Sequence, residues 1–402
     1  MHCVRKIDDS LVWVGANDLR TRLFENIHPI PRGVSYNSYV LLDQKIALLD
    51  TVDWSVCRQL VENVEHVLAG RELDYVVIHH MEPDHAASLQ VVLDKWPHAA
   101  VAASAQAFKF LEQFGFSTEG HERIVLKEGD TLELGEHTLT FLTAPMVHWP
   151  EVLVSFEQKT GTLFSADAFG TFGALNGKLF ADEVDFDRDW IDDARRYYTN
   201  IVGKYGPQTQ ALLKKAAGLD IKQICPLHGP VWRQDLGYFI DKHDKWSKYE
   251  PEEKGVLIAY ASMYGNTEQA AQALACALCE KGVKTVEVRE ISSTHVSELI
   301  AQTFRLSHVV LAAPTYNAGV FPPMGSYLED MAALGVKNRT FAILENGSWA
   351  PAAGKIMTAA VTEKLKGCTL LAPALSVRSS LPESRSSEID ALAQAIAGSV
   401  AE

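Results

Sequence analysis

The 402-residue sequence contains no apolar run approaching the roughly 20 residues that span a bilayer, and its start, "MHCVRKIDDSLVWVG", lacks the uninterrupted apolar core of a secretion signal. Positive charge is in deficit: 37 Lys and Arg stand against 51 Asp and Glu, a formal net charge of -14. That balance argues against the cationic surface that nucleic acid or an anionic membrane demands. Small molecules or basic partners fit better. The six cysteines are scattered and make no disulfide framework, which points to a reducing, cytoplasmic setting. Cys276 and Cys279 form a CxxC within "TEQAAQALACALCEKG", but no second CxxC completes a four-thiolate metal centre. The Ala/Leu spacing there predicts an amphipathic helix with both cysteines packed in the core.

With 47% hydrophobic and 22% charged residues in 44.3 kDa, the chain has material for two or three domains with proper cores. The clearest boundary is the charged run "DKHDKWSKYEPEEKG" (241–255), followed by the apolar strand "VLIAYA". It predicts one domain over 1–250 and a second over 255–402. Before the boundary, short β-branched strands such as "KIALLDTV", "YVVIHH", "LTFLTAP" and "GTLFSAD" are interspersed with helical patterns such as "SVCRQLVENVEHVLAG". After it, strands and helices alternate as expected of a doubly wound parallel sheet.

The stretch "VVIHHMEPDHAASL" places His79, His80, Glu82, Asp84 and His85 directly after a strand. Buried charge is costly unless paired or bound to metal, so such a crowd points to chemistry rather than packing. Further candidates follow later strands: His148 in "TAPMVHWPE", Asp167 in "LFSADAFG" and His228 in "ICPLHGP". In order and spacing, His80, Glu82, Asp84, His148, Asp167 and His228 resemble the metal site of the flavodiiron proteins, whose N-terminal domain is a metallo-β-lactamase-like αββα sandwich. The phrases "GVSYNSYVLLDQKIALLDTVD" and "CPLHGPVW" resemble that family too. A zinc hydrolase of the same superfamily would be expected to carry histidine where this chain has Glu82, whereas a mixture of histidine and carboxylate suits non-haem iron. The resemblance implies two iron ions, one held by His80, Glu82 and His148, the other by Asp84 and His228, with Asp167 between them. His79 has no place in that scheme, and His85 matches a position of variable ligation.

After the boundary, "YASMYGNTEQAAQAL" reads as strand, small-residue loop and helix, with hydroxyls at Ser262 and Thr267 and a glycine at Gly265 beside the free amides of the helix start. That is an anion site. It lacks the lysine of a P-loop and the GxGxxG of a dinucleotide fold, so a monophosphate fits best. The loops "APTYNAGVFPP" and "ENGSWAPAAGK" end later strands, and each contributes an aromatic ring. The three loops resemble those of the flavodoxin family, which implies FMN. Its contacts would be Ser262, Met263, Tyr264, Gly265, Asn266, Thr267, Pro314, Thr315, Tyr316, Asn317, Gly319, Asn346, Gly347, Ser348 and Trp349.

A flavin and two irons imply electron delivery. Reduced FMN and two ferrous ions together hold the four electrons that take dioxygen to water, and two nitric oxide molecules need two. The resemblance implies an oxidoreductase of dioxygen, nitric oxide or both, served by a rubredoxin-like donor and assembled as a head-to-tail homodimer or a dimer of such dimers. No electron-entry module is expected after the flavodoxin-like part, which is why a separate donor is implied. His28, Trp149, Tyr197 and Tyr198 are candidates either for the gas pocket or for packing with a satisfied polar tip. Two rival readings are a zinc hydrolase on the lactamase-like domain and a flavodoxin-like electron carrier with a docking module.

Overall fold

A computed structural model describes residues 1–371 and 374–402. The chain divides into two compact units, the first of residues 1–198 and 207–244, the second of 199–206 and 245–402. The short segment 199–206 joins the second unit through Asn200, which donates to the Ser297 carbonyl at 3.1 Å, and through the Gly206 amide, which donates to the Tyr249 hydroxyl at 3.3 Å.

Two sheets build the first unit. One runs in the order Arg5–Lys6, Leu11–Trp13, Tyr39–Leu41, Ala47–Leu49, Tyr75–Ile78, Ala100–Ser104, Arg123–Leu126. It is antiparallel up to Ala47–Leu49 and parallel beyond. The other runs Thr131–Glu133, Thr138–Thr143, Leu153–Glu157, Thr162–Phe164, Gln223–Cys225, with only the last pair parallel. The "YVVI" strand lies between two parallel neighbours and is almost wholly buried, the setting that favours continuous β-branched runs. The sheets pack on each other through pairs such as Tyr39 on Phe164, with ring centroids 5.6 Å apart. The Leu153 amide also crosses to the His79 carbonyl at 3.0 Å. His79, Asp167 and His228 follow the ends of the strands Tyr75–Ile78, Thr162–Phe164 and Gln223–Cys225, so one edge of the sandwich collects them.

The second unit holds a parallel sheet in the order Val286–Glu290, Glu253–Tyr260, Leu306–Tyr316, Thr340–Asn346, Thr369–Leu370, with Leu375–Val377 also pairing to Thr340–Asn346. In chain order this is 2-1-3-4-5, the flavodoxin-like arrangement. The two-residue period of a strand splits its side chains between two cores: Leu257, Ala259 and Ala261 fall in one, Val256, Ile258 and Tyr260 in the other.

The helix Asn266–Glu280 covers the second of these cores with Ala270, Ala271, Leu274, Ala277 and Leu278. That phase corrects the expectation for the CxxC. Cys276 lies two residues beyond Leu274, about 200° around the helix, and both Cys276 and Cys279 are exposed. In native protein Cys276 and Cys279 are expected to react rapidly with a thiol reagent while buried Cys57 and Cys225 wait for unfolding, and Cys276→Ser should change stability by less than about 0.5 kcal/mol. Protection of both thiols in the native state would restore the core assignment.

Candidate metal centre and flavin cleft

Beyond the strand Tyr75–Ile78, the chain runs through His79 and His80 to Glu82, the residue before a single helical turn, Pro83–Ala86. Proline at the first helical position suits that start, and the turn points Asp84 and His85 back toward the sheet edge. The "HGP" turn after Gln223–Cys225 needs its glycine. Gly229 has φ +78, and a Cβ there would lie 2.0 Å from Thr171 Cγ2.

Seven side chains converge, in two groups. His80, Glu82, His148 and Asp167 form one, and Asp84, His85 and His228 the other, with the potential ligand atoms of each group within 4.8 Å of one another. Glu82 Oε2 lies 3.3 Å from His80 Nε2 and 3.0 Å from His148 Nε2. Asp167 touches both groups with different oxygens. Its Oδ2 is 3.2 Å from both His80 Nε2 and His148 Nε2, and its Oδ1 is 3.2 Å from His85 Nε2 and 3.7 Å from His228 Nε2. Asp84 Oδ2 stands 3.2 Å from His228 Nε2 and 3.4 Å from His85 Nε2. The structure therefore brings all six sequence-predicted metal residues to one place, together with His85, the position of variable ligation.

The donor set fits metal ions. Among the described residues, both oxygens of Asp84 and of Asp167 are buried without a hydrogen-bond partner. His85 Nε2 and His228 Nε2 face each other at 3.1 Å, although the His228 Nδ1–H is already committed to the Ser35 carbonyl at 2.8 Å, so its Nε2 presents a lone pair. Unpaired buried acceptors and converging imidazole lone pairs lack only a shared cation.

The proton equilibria show the same deficit of positive charge. Burial alone would raise the Glu82 and Asp167 carboxyls, but hydrogen bonds from His148 and His80 hold Glu82 far below its usual range, and the His80 and His85 rings hold Asp167 well below. Asp84 goes the other way, pushed up to about 7 by burial. His148 is raised to about 9 by Asp167 and Glu82 in spite of its burial.

His79 has a separate task. Its Nδ1 meets Asp50 Oδ2 at 2.6 Å and its Nε2 meets the Ser155 hydroxyl at 2.8 Å, linking the two sheets beneath the cluster. Asp50 Oδ1 also accepts the His79 amide at 2.7 Å. Of the four further candidates, Trp149 packs edge-on against His80 at 5.3 Å, and Tyr197 lies 5.4 Å from His228 between ring centroids. Burial, then the charge of Asp167, pushes the Tyr197 phenol well above its usual value. Tyr198 instead packs against His243, with ring centroids 5.3 Å apart. His28 Nε2 is 3.8 Å from Glu25, a part-exposed carboxyl that burial and neighbouring Glu82 push up to about 7. Glu25 sits in a polar loop with no periodic pattern, so nothing in the sequence singles it out.

In the second unit a cavity of about 400 Å³ opens at the carboxyl ends of the strands. All the sequence-predicted flavin residues line it except Gly265, Tyr316 and Gly319; Ala318, Ala350 and Ser379 are additional. Gly265 precedes the helix Asn266–Glu280 with φ +89, and no side chain caps that helix, which leaves its first amides for an anion. Asn346 ties three loops together: its Nδ2 donates to Thr267 Oγ1 at 3.2 Å and to the Ser379 carbonyl at 3.0 Å, and its Oδ1 accepts the Ser379 amide at 3.1 Å. Trp349 is 83% exposed and Tyr264 90%, so the cleft has open aromatic walls. Tyr316 stands outside the cavity lining, edge-on to Phe321 at 5.9 Å.

Comparison with known proteins agrees with both halves. Residues 34–229 match the family model described as ODP family beta lactamase, and residues 258–367 match the flavodoxin model. The nitric oxide reductase of Moorella thermoacetica is 31% identical over 370 residues, covering 90% of each chain. Among solved structures, rubredoxin oxygen:oxidoreductase from Desulfovibrio gigas superposes with a TM-score of 0.91 at 28% identity, over 99% of this chain and 98% of that one. The flavodiiron protein of Giardia intestinalis gives 0.88 at 25% identity over the same shares. With the paired carboxylate and histidine groups in one unit, the phosphate-ready cleft in the other, and relatives matching across both, the chain belongs to the flavodiiron protein family.

Proposed function

We propose that this protein reduces dioxygen to water, nitric oxide to nitrous oxide, or both, at a di-iron centre in domain 1–250, fed by FMN in domain 255–402. The observation that carries the reading is Asp167, whose two oxygens address different histidine groups as a carboxylate bridging two ions would. A zinc hydrolase leaves the flavin cleft unexplained, and a bare electron carrier leaves the seven-residue cluster unexplained. His80, Glu82 and His148 would hold one iron and Asp84, His85 and His228 the other. Bound iron and FMN would together supply up to four electrons and open coordination positions for the gas.

The chain's own groups hold and shelter that centre. Phe24 and Tyr36 lie edge-on to His228, with centroids at 5.3 and 5.8 Å, and Trp149 covers His80. These walls limit water around the reacting ligands. Tyr197 brings a hydroxyl beside Asp167. In the second unit the uncapped amides at Asn266 and Thr267 would take the FMN phosphate, and the loops at Thr315 and Ser348 would frame the ring.

Steady-state rates with each gas and a chemically reduced rubredoxin test the activity and rank the substrates; turnover of neither gas by iron- and FMN-loaded protein would refute it. His148→Ala or His228→Ala should lower iron content and abolish gas reduction with the flavin spectrum intact, and loss of FMN in either variant would contradict the separation of sites. Thr267→Val removes one hydroxyl from the phosphate nest and should weaken FMN binding by about 1–3 kcal/mol. Unchanged affinity would remove Thr267 from the site.

A head-to-tail homodimer would place the flavin of one subunit beside the irons of the other, and a two-fold axis makes both contacts at once. Reassembly of a His148→Ala chain with a chain altered at Thr267 and Asn346, each inactive alone, should restore part of the activity. Mixed dimers that form and stay inactive would place electron transfer within one chain.

A further inference from the structure

The loop that carries His148 ends three residues later in Glu151, a side chain of 0% exposure. Glu151 Oε1 accepts from His80 Nδ1 at 2.7 Å and from the Met81 amide at 2.9 Å, and the Glu151 carbonyl accepts from the Ser104 hydroxyl at 2.9 Å. Its Oε2 is buried without a partner, and His80 is the one ion-pair partner it has among the described residues. A buried carboxylate held in this way is compensated chiefly through the imidazole. With Nδ1–H committed to Glu151, the neutral His80 ring has its one lone pair at Nε2, facing Glu82, Asp167 and whatever lies between them.

The other group is built differently. His228 Nδ1 donates to the Ser35 carbonyl, a neutral acceptor, at 2.8 Å, and His85 Nδ1 is buried with no hydrogen-bond partner among the described residues. A carboxylate behind an imidazole makes the ring a more basic and better oriented ligand than a carbonyl does, and charge-assisted hydrogen bonds are the stronger ones.

Resting on the di-iron reading above, we propose that Glu151 is a positioning residue that makes the His80, Glu82 and His148 position the tighter of the two metal sites. The centre is thus unequal by construction: its Asp84, His85 and His228 half releases its ion first.

Chelator competition on the purified holoprotein reads this directly. Iron should leave in two phases, and Mössbauer spectra of half-depleted protein should retain one of two distinguishable signals. Glu151→Gln keeps the size of the side chain and should raise the dissociation constant of the slow phase roughly 10- to 100-fold, with FMN content unchanged. Glu151→Asp, which keeps the charge but shortens the reach, should fall between and serves if the glutamine variant does not fold. Two irons leaving in one phase from the unaltered protein, or a slow phase untouched by the folded variant, would overturn the proposal. Protein that binds no iron pair at all would instead overturn the di-iron reading beneath it.

Discussion

Three carboxylates, Glu82, Asp84 and Asp167, share one buried edge of the lactamase-like sandwich, and the rest of the first unit is arranged around that excess of negative charge. Imidazoles meet it from four directions, yet Asp84 and Asp167 still lack hydrogen-bond partners. Burying an ion without compensation costs several kcal/mol, so such an edge persists only where cations complete it. Strand ends from both sheets, the helical turn at Pro83–Ala86 and the glycine-dependent turn at Gly229 all bring ligand atoms to the same few ångströms. Beneath them, Asp50, His79, Ser155 and Glu151 fix the loop from behind.

The second unit solves the opposite electrostatic problem. There the helix start at Asn266 offers positive dipole and free amides, and Asn346 ties the phosphate loop to two others. The side chains around it are neutral hydroxyls, amides and aromatic rings, a lining that suits a planar ring with a single phosphate better than a polyphosphate.

Much of this was legible in the sequence because strand-to-loop transitions are sharp there. "YVVI" breaks into His80, Glu82 and Asp84, and "VLIAYA" into Ser262 and Thr267, so apolar periodicity and chemistry change at the same residue. What stayed hidden depends on distant partners. Glu151 looks like a solvent carboxylate in "HWPE" until the fold sets it 2.7 Å from His80, 71 residues away in sequence. Ser379 reaches the flavin cleft only because Leu375–Val377 pairs with Thr340–Asn346. His79 has partners that local sequence does not show: Asp50 follows the strand Ala47–Leu49 of one sheet, and Ser155 lies in Leu153–Glu157 of the other. The CxxC departs from its core expectation because alanine-rich helices admit more than one apolar phase, and packing against the sheet chose the phase that leaves both thiols in solvent.

The central claim is that one carboxylate bridges two iron ions in a chain that also carries FMN. Metal and flavin analysis joined to Mössbauer and EPR spectroscopy of the as-isolated protein tests it most directly. The account predicts two irons and one FMN per chain, with the irons exchange-coupled. One zinc per chain, or iron whose signals show isolated, uncoupled ions, would contradict it.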